Sequence, residues 1–284
     1  MNKIPSEINL VNISAIVGRQ DSVNGNYSEQ NLPNSGLCSL KILRNIKALI
    51  FDFDGTLFDN TKIAFNLISL FPPDILRIWK ERKTRKHFAG CHFSSSEEYY
   101  RMFFAVLAKS CYRSPAKIEK WYFNRYMPRM IRVLKKHYTL RPGVKELFAL
   151  FDSTSKIHVA VYSDYPRLKE RLKVLGLNVS PKIKLYGPES FGAQKPAPEP
   201  FLSIASDLGS LPEETLVIGD REETDGLGAF RAGMRFFCLE TGRRRHFQLD
   251  PNRRLEKETP HGPSLVMYAG IWEDLYKLLI KQFG

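Results

Sequence analysis

The chain has 284 residues, 43% of them apolar and 26% charged, enough for one large domain or a core with a smaller unit. That composition excludes a disordered, collagenous or disulfide-scaffold protein. Its longest unbroken apolar run, Met102 to Ala108, falls far short of the about 18 residues that span a bilayer, and the polar N-terminus has no apolar signal core, so a cytoplasmic location and no membrane partner are expected. The net charge of +13 sits in one place: Thr61 to Arg141 holds 18 Lys and Arg against five acids, the whole excess, which points to an anionic substrate or partner.

Residues 1–45 are rich in Asn, Ser, Gln and Gly without a sustained period, and read as a flexible N-terminal extension. Ile46 to Asp52 is a short apolar run ending in Asp-x-Asp-Gly, the pattern of a buried parallel strand closed by a turn. From residue 61 to 138 the chain is basic, aromatic and helical in period. Ser94 and Glu97 read as a capping box, Ser114 and Pro115 as the start of a helix toward His137, and Pro128 as its kink or split. Arg141-Pro142-Gly143 ends this segment.

Helices and strands then alternate. Helices are predicted at 144–151, 167–175, 198–208 and 226–232, with strands at 157–162, 183–186, 216–218 and 235–239, and a last strand and helix at 265–268 and 272–280. This alternation predicts an α/β fold with a parallel sheet and helices on both faces, ligands binding beyond the carboxyl ends of the strands. Cys38, Cys91, Cys111 and Cys238 are scattered without a C-x-x-C pair, and read as reduced thiols. Cys91-His92 is discounted as a metal pair, Trp79, Trp121 and Trp272 are assigned to packing, and Arg243 to Arg245 with Arg253 and Arg254 to a solvated loop.

Four groups fall at predicted strand ends. Asp52 and Asp54 in Asp52-Phe53-Asp54-Gly55-Thr56 point to one side of an extended chain, and Gly55 permits a sharp turn with N–H groups available to an anion. Turn chemistry accounts for one of these aspartates, but not for two crowded together without a cation or a shared proton. Ser163 ends an apolar run, where it reads either as a phosphate donor or, taken alone, as a helix N-cap. Lys195 lies in the stiff Lys195-Pro196-x-Pro198 loop and in isolation reads as solvated. Asp220 ends another strand and Asp225 opens the next helix; both suit a hard cation such as magnesium, while Asp225 serves equally as a cap.

Together and in this order the four groups resemble the motifs of the haloacid dehalogenase superfamily, capped phosphatase type, over Ile46 to Leu239. The resemblance implies a Rossmann-like three-layer core formed by residues 46–60 and 139–284, with a helical cap, residues 61–138, inserted after the first motif. It also implies Asp52 as nucleophile, Asp54 as general acid and base, and Gly55, Thr56, Ser163 and Lys195 as the phosphate-binding set. A Mg2+ ion would be held by Asp52, Asp54 (through its carbonyl), Asp220 and Asp225. The expected function is Mg2+-dependent hydrolysis of a small organic phosphate through an aspartyl-phosphate. Asp54 argues against a true dehalogenase and Thr56 favours hydrolysis over a phosphomutase. The alternatives are a phosphotransferase of the same superfamily and a catalytically silent module gripping a polyanion; the crowded carboxylates argue against silence, and nucleic acid is not the expected partner.

Overall fold

The computed structural model describes residues 43–240, 255–259 and 262–284. The predicted extension falls almost wholly outside the described residues, as do Cys38 and the two arginine runs. Leu43 and Ile46 are both buried in the main apolar core, which therefore includes a residue ahead of the expected boundary.

Among the described residues seven strands form one sheet: β1 (Ala48–Asp52), β2 (His158–Tyr162), β3 (Lys184–Tyr186), β4 (Thr215–Gly219), β5 (Arg235–Leu239), β6 (Leu255–Thr259) and β7 (Gly262–Gly270). Their order is β3-β2-β1-β4-β5-β7-β6, parallel throughout except for the antiparallel β6–β7 pair at the edge. The chain builds outward from β1 to β2 and β3, then returns to β4 on the other side of β1. That reversal opens a crevice beyond the carboxyl ends of β1 and β4, where open α/β sheets bind their ligands. Asp52 ends β1 and Gly219 ends β4.

All five residues of β1 are buried, so both sheet faces are covered. Alternate side chains feed two cores. Leu49, Phe51, Val161 and Ile218 pack with helices α6 (Val144–Ser153), α7 (Leu168–Val174) and α11 (Trp272–Phe283). Ile50, Ala160, Val217 and Phe236 pack with α9 (Pro198–Asp207) and α10 (Leu227–Arg231). The short helix α8 (Pro188–Phe191) follows β3. This is the three-layer arrangement expected from the alternation. β6 was not foreseen, and the last strand is longer than the predicted 265–268.

Between β1 and α6 the chain forms a helical insert with a third apolar core of its own, built around Phe88, Tyr99, Phe103, Trp121, Tyr122 and Met130. Its helices are α1 (Ile63–Leu70), α2 (Ile75–His87), α3 (Ser96–Cys111), α4 (Pro115–Trp121) and α5 (Met127–His137). A π turn at Tyr122–Tyr126 joins α4 to α5 with the backbone helical throughout, and Pro128, which has no N–H to donate, follows it, so the predicted kink or split takes the form of a π turn ahead of the proline. The predicted capping box is displaced by one residue: Ser95, not Ser94, caps α3 by accepting the Glu98 N–H, while Ser94 bonds the Glu98 carboxylate. Ser114 precedes α4 but makes no side-chain cap bond. Trp121 and Trp272 are buried as expected; Trp79, about 100° round α2 from buried Ile78, is 58% exposed.

Tight packing under the sheet gives a stability test. A Cβ on Gly228 would lie 2.2 Å from the ring of fully buried Phe201. Gly228→Ala is expected to cost about 1–3 kcal/mol through overpacking, read as a lower urea midpoint.

Candidate active site

Lys195 is the centre of the site. Although the sequence alone suggests a solvated lysine, the side chain is 2% exposed. The backbone of its loop is pinned where Asp164 Oδ1 accepts the Lys195 N–H at 3.1 Å. The ammonium donates to Asp52 Oδ1 at 2.6 Å, to Asp225 Oδ1 at 2.7 Å and to the Tyr162 carbonyl at 3.2 Å. A buried ammonium needs such partners, and two carboxylates and one carbonyl use all three of its donors.

Asp52 sits at the C-terminal end of β1, and its second oxygen accepts from Thr56 Oγ1 at 3.1 Å. Thr56 is fully buried; its hydroxyl touches the proposed nucleophile rather than an open anion site. Gly55 has φ of 103°, and a Cβ there would lie 2.4 Å from Asp220 Oδ2, so the glycine gives the Asp220 carboxylate room as well as the turn. Gly219 does the same for Asp225, whose carboxyl carbon would lie 2.6 Å from a Cβ. Asp225 is buried and makes no cap bond at the π turn Glu222–Gly226 or at α10, which decides against the cap reading.

Asp52, Asp220 and Asp225 are brought together, one carboxylate oxygen from each lying within 4.8 Å of the others. Three hard, buried oxygen donors at the ends of β1 and β4 are a set that a divalent cation fits. The electrostatics agree. Burial pushes the Asp52 carboxyl up to about 7; Lys195 opposes this, while Asp225 and Asp54 add to it. Burial likewise raises Asp225 and Asp164. Burial works against the charge of Lys195, but Asp225 and Asp52 outweigh it and hold the ammonium above its usual range.

The Asp54 side chain points elsewhere, accepting from Ser163 Oγ at 2.9 Å and pairing with the guanidinium of Arg171, which is fully buried. Ser163, itself fully buried, also accepts the Tyr165 N–H at 3.1 Å, so it braces the loop after β2 as well as bonding Asp54. Sequence reasoning missed Arg171. Its signal was present: it shares the inward face of α7 with Leu168 and Leu172, where a charge is out of place. Asp164, Gln194 and Arg141 were also missed. Arg141 donates to the carbonyls of Gly55 and Thr56 at 2.8 and 2.9 Å, fixing the turn after Asp54.

These groups open into a cavity of about 180 Å³, lined from the sheet side by Asp52, Asp54, Lys195 and Arg221 and from the insert by Ile63, Leu67, Arg82, Lys86 and Met130. Arg85 also borders it, but is bound into the interior. Its guanidinium donates to buried Glu81 at 2.6 Å, to Tyr122 at 2.9 Å and to the Asp164 carbonyl at 2.7 Å. The Arg85 carbonyl in turn accepts from Gln194 at 3.1 Å. Arg85 therefore joins the insert to the sheet.

A family model described as a haloacid dehalogenase-like hydrolase matches residues 46–233. The chain is similar to phosphoglycolate phosphatase of Aquifex aeolicus, 28% identical over 187 residues covering 62% of this chain and 77% of that protein. It is also similar to glyceraldehyde 3-phosphate phosphatase of Methanopyrus kandleri, 28% identical over 213 residues covering 66% and 82%. Among solved structures it has the fold of the HAD hydrolase YfnB from Bacillus subtilis, with a TM-score of 0.52, 19% identity and coverage of 83% of this chain and 99% of that one. An L-2-haloacid dehalogenase is similar at a TM-score of 0.51, 17% identity and the same coverage.

The carboxylate cluster makes a pH-dependent prediction. Raised carboxyls bind protons in the folded state that the unfolded chain has released, so metal-free stability is lost as pH rises from the ordinary 3.8 through about 7. A cation replacing those protons should raise the melting temperature more at about pH 8 than at about pH 5.5. Thermal melts with and without magnesium chloride at both pH values check this.

Proposed function

The chain belongs to the haloacid dehalogenase-like hydrolases, and from that premise we propose that it is a Mg2+-dependent phosphatase for a small organic phosphate monoester. The observation that carries this reading is the buried Lys195 shared by Asp52 and Asp225, with Asp220 completing the acidic cluster beside the cavity. In this reading Asp52 attacks phosphorus in line, its Oδ1 already oriented by Lys195 and its Oδ2 by Thr56. The alkoxide or aryloxide leaves, and the phosphoryl group is carried as an aspartyl-phosphate. Asp54 gives a proton to the leaving oxygen and takes one from the water that then cleaves the acyl phosphate. Lys195 and Ser163 bear on the charge of the transferring phosphoryl, where fixed positive and hydrogen-donating groups act most strongly.

Asp52, Asp220 and Asp225, with the Asp54 carbonyl, would hold the Mg2+, which supplies charge neutralisation at the phosphoryl oxygens. The helical insert acts as a cap, excluding water and meeting the rest of the substrate. Its contribution to the cavity is mixed: Ile63, Leu67 and Met130 are apolar, Arg82 and Lys86 are basic. A small anionic substrate suits this lining. The names of the two phosphatase relatives support the same reaction class. A hydrolysis screen over sugar, nucleoside, glycolyl and cofactor phosphates, with and without magnesium, tests the proposal; activity on none of them would overturn it.

Asp52→Asn should abolish phosphate release while leaving the chain folded, since an amide does not attack phosphorus. Asp54→Asn should lose more than the about 10²–10⁴ of a single proton-transfer role, because one group serves both steps. Steady-state phosphate release measures both. The cap charge makes a third expectation: kcat/KM for a multiply charged substrate should fall steeply between about 20 and 300 mM salt, more than for a monoanionic aryl phosphate. Arg82→Gln with Lys86→Gln should flatten that slope. Arg85 is excluded from this test, because its charge is committed to Glu81.

A further inference from the structure

We propose that Arg171 is a positioning residue that binds Asp54 and Ser163 into one unit, and that an arriving phosphoryl group releases Asp54 by taking over the Ser163 hydroxyl hydrogen. The proposal rests on the reading of Asp54 as acid and base. It stands on counting donors. Arg171 Nη1 donates to Ser163 Oγ at 2.8 Å, and Nη2 is paired with Asp54 Oδ1. The guanidinium carbon lies 4.5 Å from the centroid of the Phe53 ring and 5.6 Å from that of Tyr165, so its plane is fixed by packing as well as by its bonds.

Ser163 Oγ is consequently saturated. Its two lone pairs accept from Arg171 and from the Tyr165 N–H at 3.1 Å, and neither of those groups accepts in return. The single hydroxyl hydrogen therefore points to Asp54 Oδ2, 2.9 Å away. An ionised phosphoryl oxygen only accepts hydrogen bonds, so Ser163 binds one only by turning that hydrogen away from Asp54. The hydrogen stays on Ser163 and no covalent bond changes. Asp54 keeps its bond to Arg171 through Oδ1, while Oδ2 is released to face the cavity that Asp54 borders. The carboxylate is thus held in place before substrate arrives and freed on one oxygen when the phosphoryl group is bound, and that oxygen then takes up from solvent the proton it gives to the leaving oxygen.

The two halves of this unit have different kinetic signatures, read across a series of aryl and alkyl phosphates of rising leaving-group pKa. Arg171→Lys keeps a buried positive charge but loses the fork. It should lower kcat at least about tenfold more for alkyl than for aryl phosphates, because only the poor leaving groups depend on a well-placed acid. Ser163→Ala leaves the Arg171–Asp54 pair intact. It should leave that leaving-group dependence near wild type while weakening competitive inhibition by inorganic phosphate about tenfold or more, the loss of one charge-assisted hydrogen bond. Equal losses of kcat for both substrate types in Arg171→Lys would mean a merely structural residue and overturn the proposal, as would unchanged phosphate inhibition in Ser163→Ala. Asp54→Asn separates this failure from that of the underlying reading. If Asp54→Asn steepens the leaving-group dependence and Arg171→Lys does not, only the role of Arg171 falls. If Asp54→Asn leaves the dependence unchanged, the acid–base reading falls and takes the proposal with it.

Discussion

A lysine ammonium buried among carboxylates sets the terms for everything around it. Removing Lys195 from water is costly unless its charge is met, and the strand ends meet it with Asp52 from β1 and Asp225 from beyond β4. The sheet order makes this possible, because β1 and β4 are neighbours although about 160 residues and the whole helical insert separate them in sequence. Burial, with Asp225 and Asp54 adding to it, raises the Asp52 carboxyl to about 7 against the pull of Lys195, a condition that a bound cation would relieve. Glycines at 55 and 219 are part of that constraint, since side chains there would collide with Asp220 and Asp225.

The cap is tied to the sheet by a polar connection rather than by apolar packing alone. Arg85 spans from buried Glu81 and Tyr122 inside the insert to the Asp164 carbonyl beside the site, and Gln194 answers from the Lys195 loop by donating to the Arg85 carbonyl and accepting from Tyr99 at 3.3 Å. Asp164 in turn holds the Lys195 backbone. The route from α2 to Lys195 therefore runs through bonded neighbours. Arg82 and Lys86, on the same helix, line the cavity instead.

The sequence made the architecture legible where local pattern and tertiary need agree. Buried parallel strands announce themselves as short apolar runs, and the strand at Arg235–Leu239 has the limits its pattern implied. The charge excess falls in the insert, but does not say which charges face the cavity. Arg85 and Arg82 look alike in a basic helix; only the packing of Glu81 and Tyr122 commits one of them to the interior. Lys195 was ambiguous for the same reason, because burial of a charge is decided by partners distant in sequence. Arg171 lay on the apolar face of its helix, a local conflict of the kind that marks functional positions. The edge strand β6 had no apolar run to reveal it, and owes its place to pairing with β7.

Asp52, held by Lys195 and Thr56, is the group proposed to carry the phosphoryl. The most direct test of that role is a rapid acid quench of the wild-type protein during turnover of an active substrate, followed by peptide mapping. An acid-stable, base-labile phosphoryl group is expected on the peptide containing Asp52 and is expected to be absent from the Asp52→Asn chain. Turnover with no phosphorylated peptide at any quench time, under conditions where breakdown of the intermediate limits the rate, would contradict that role.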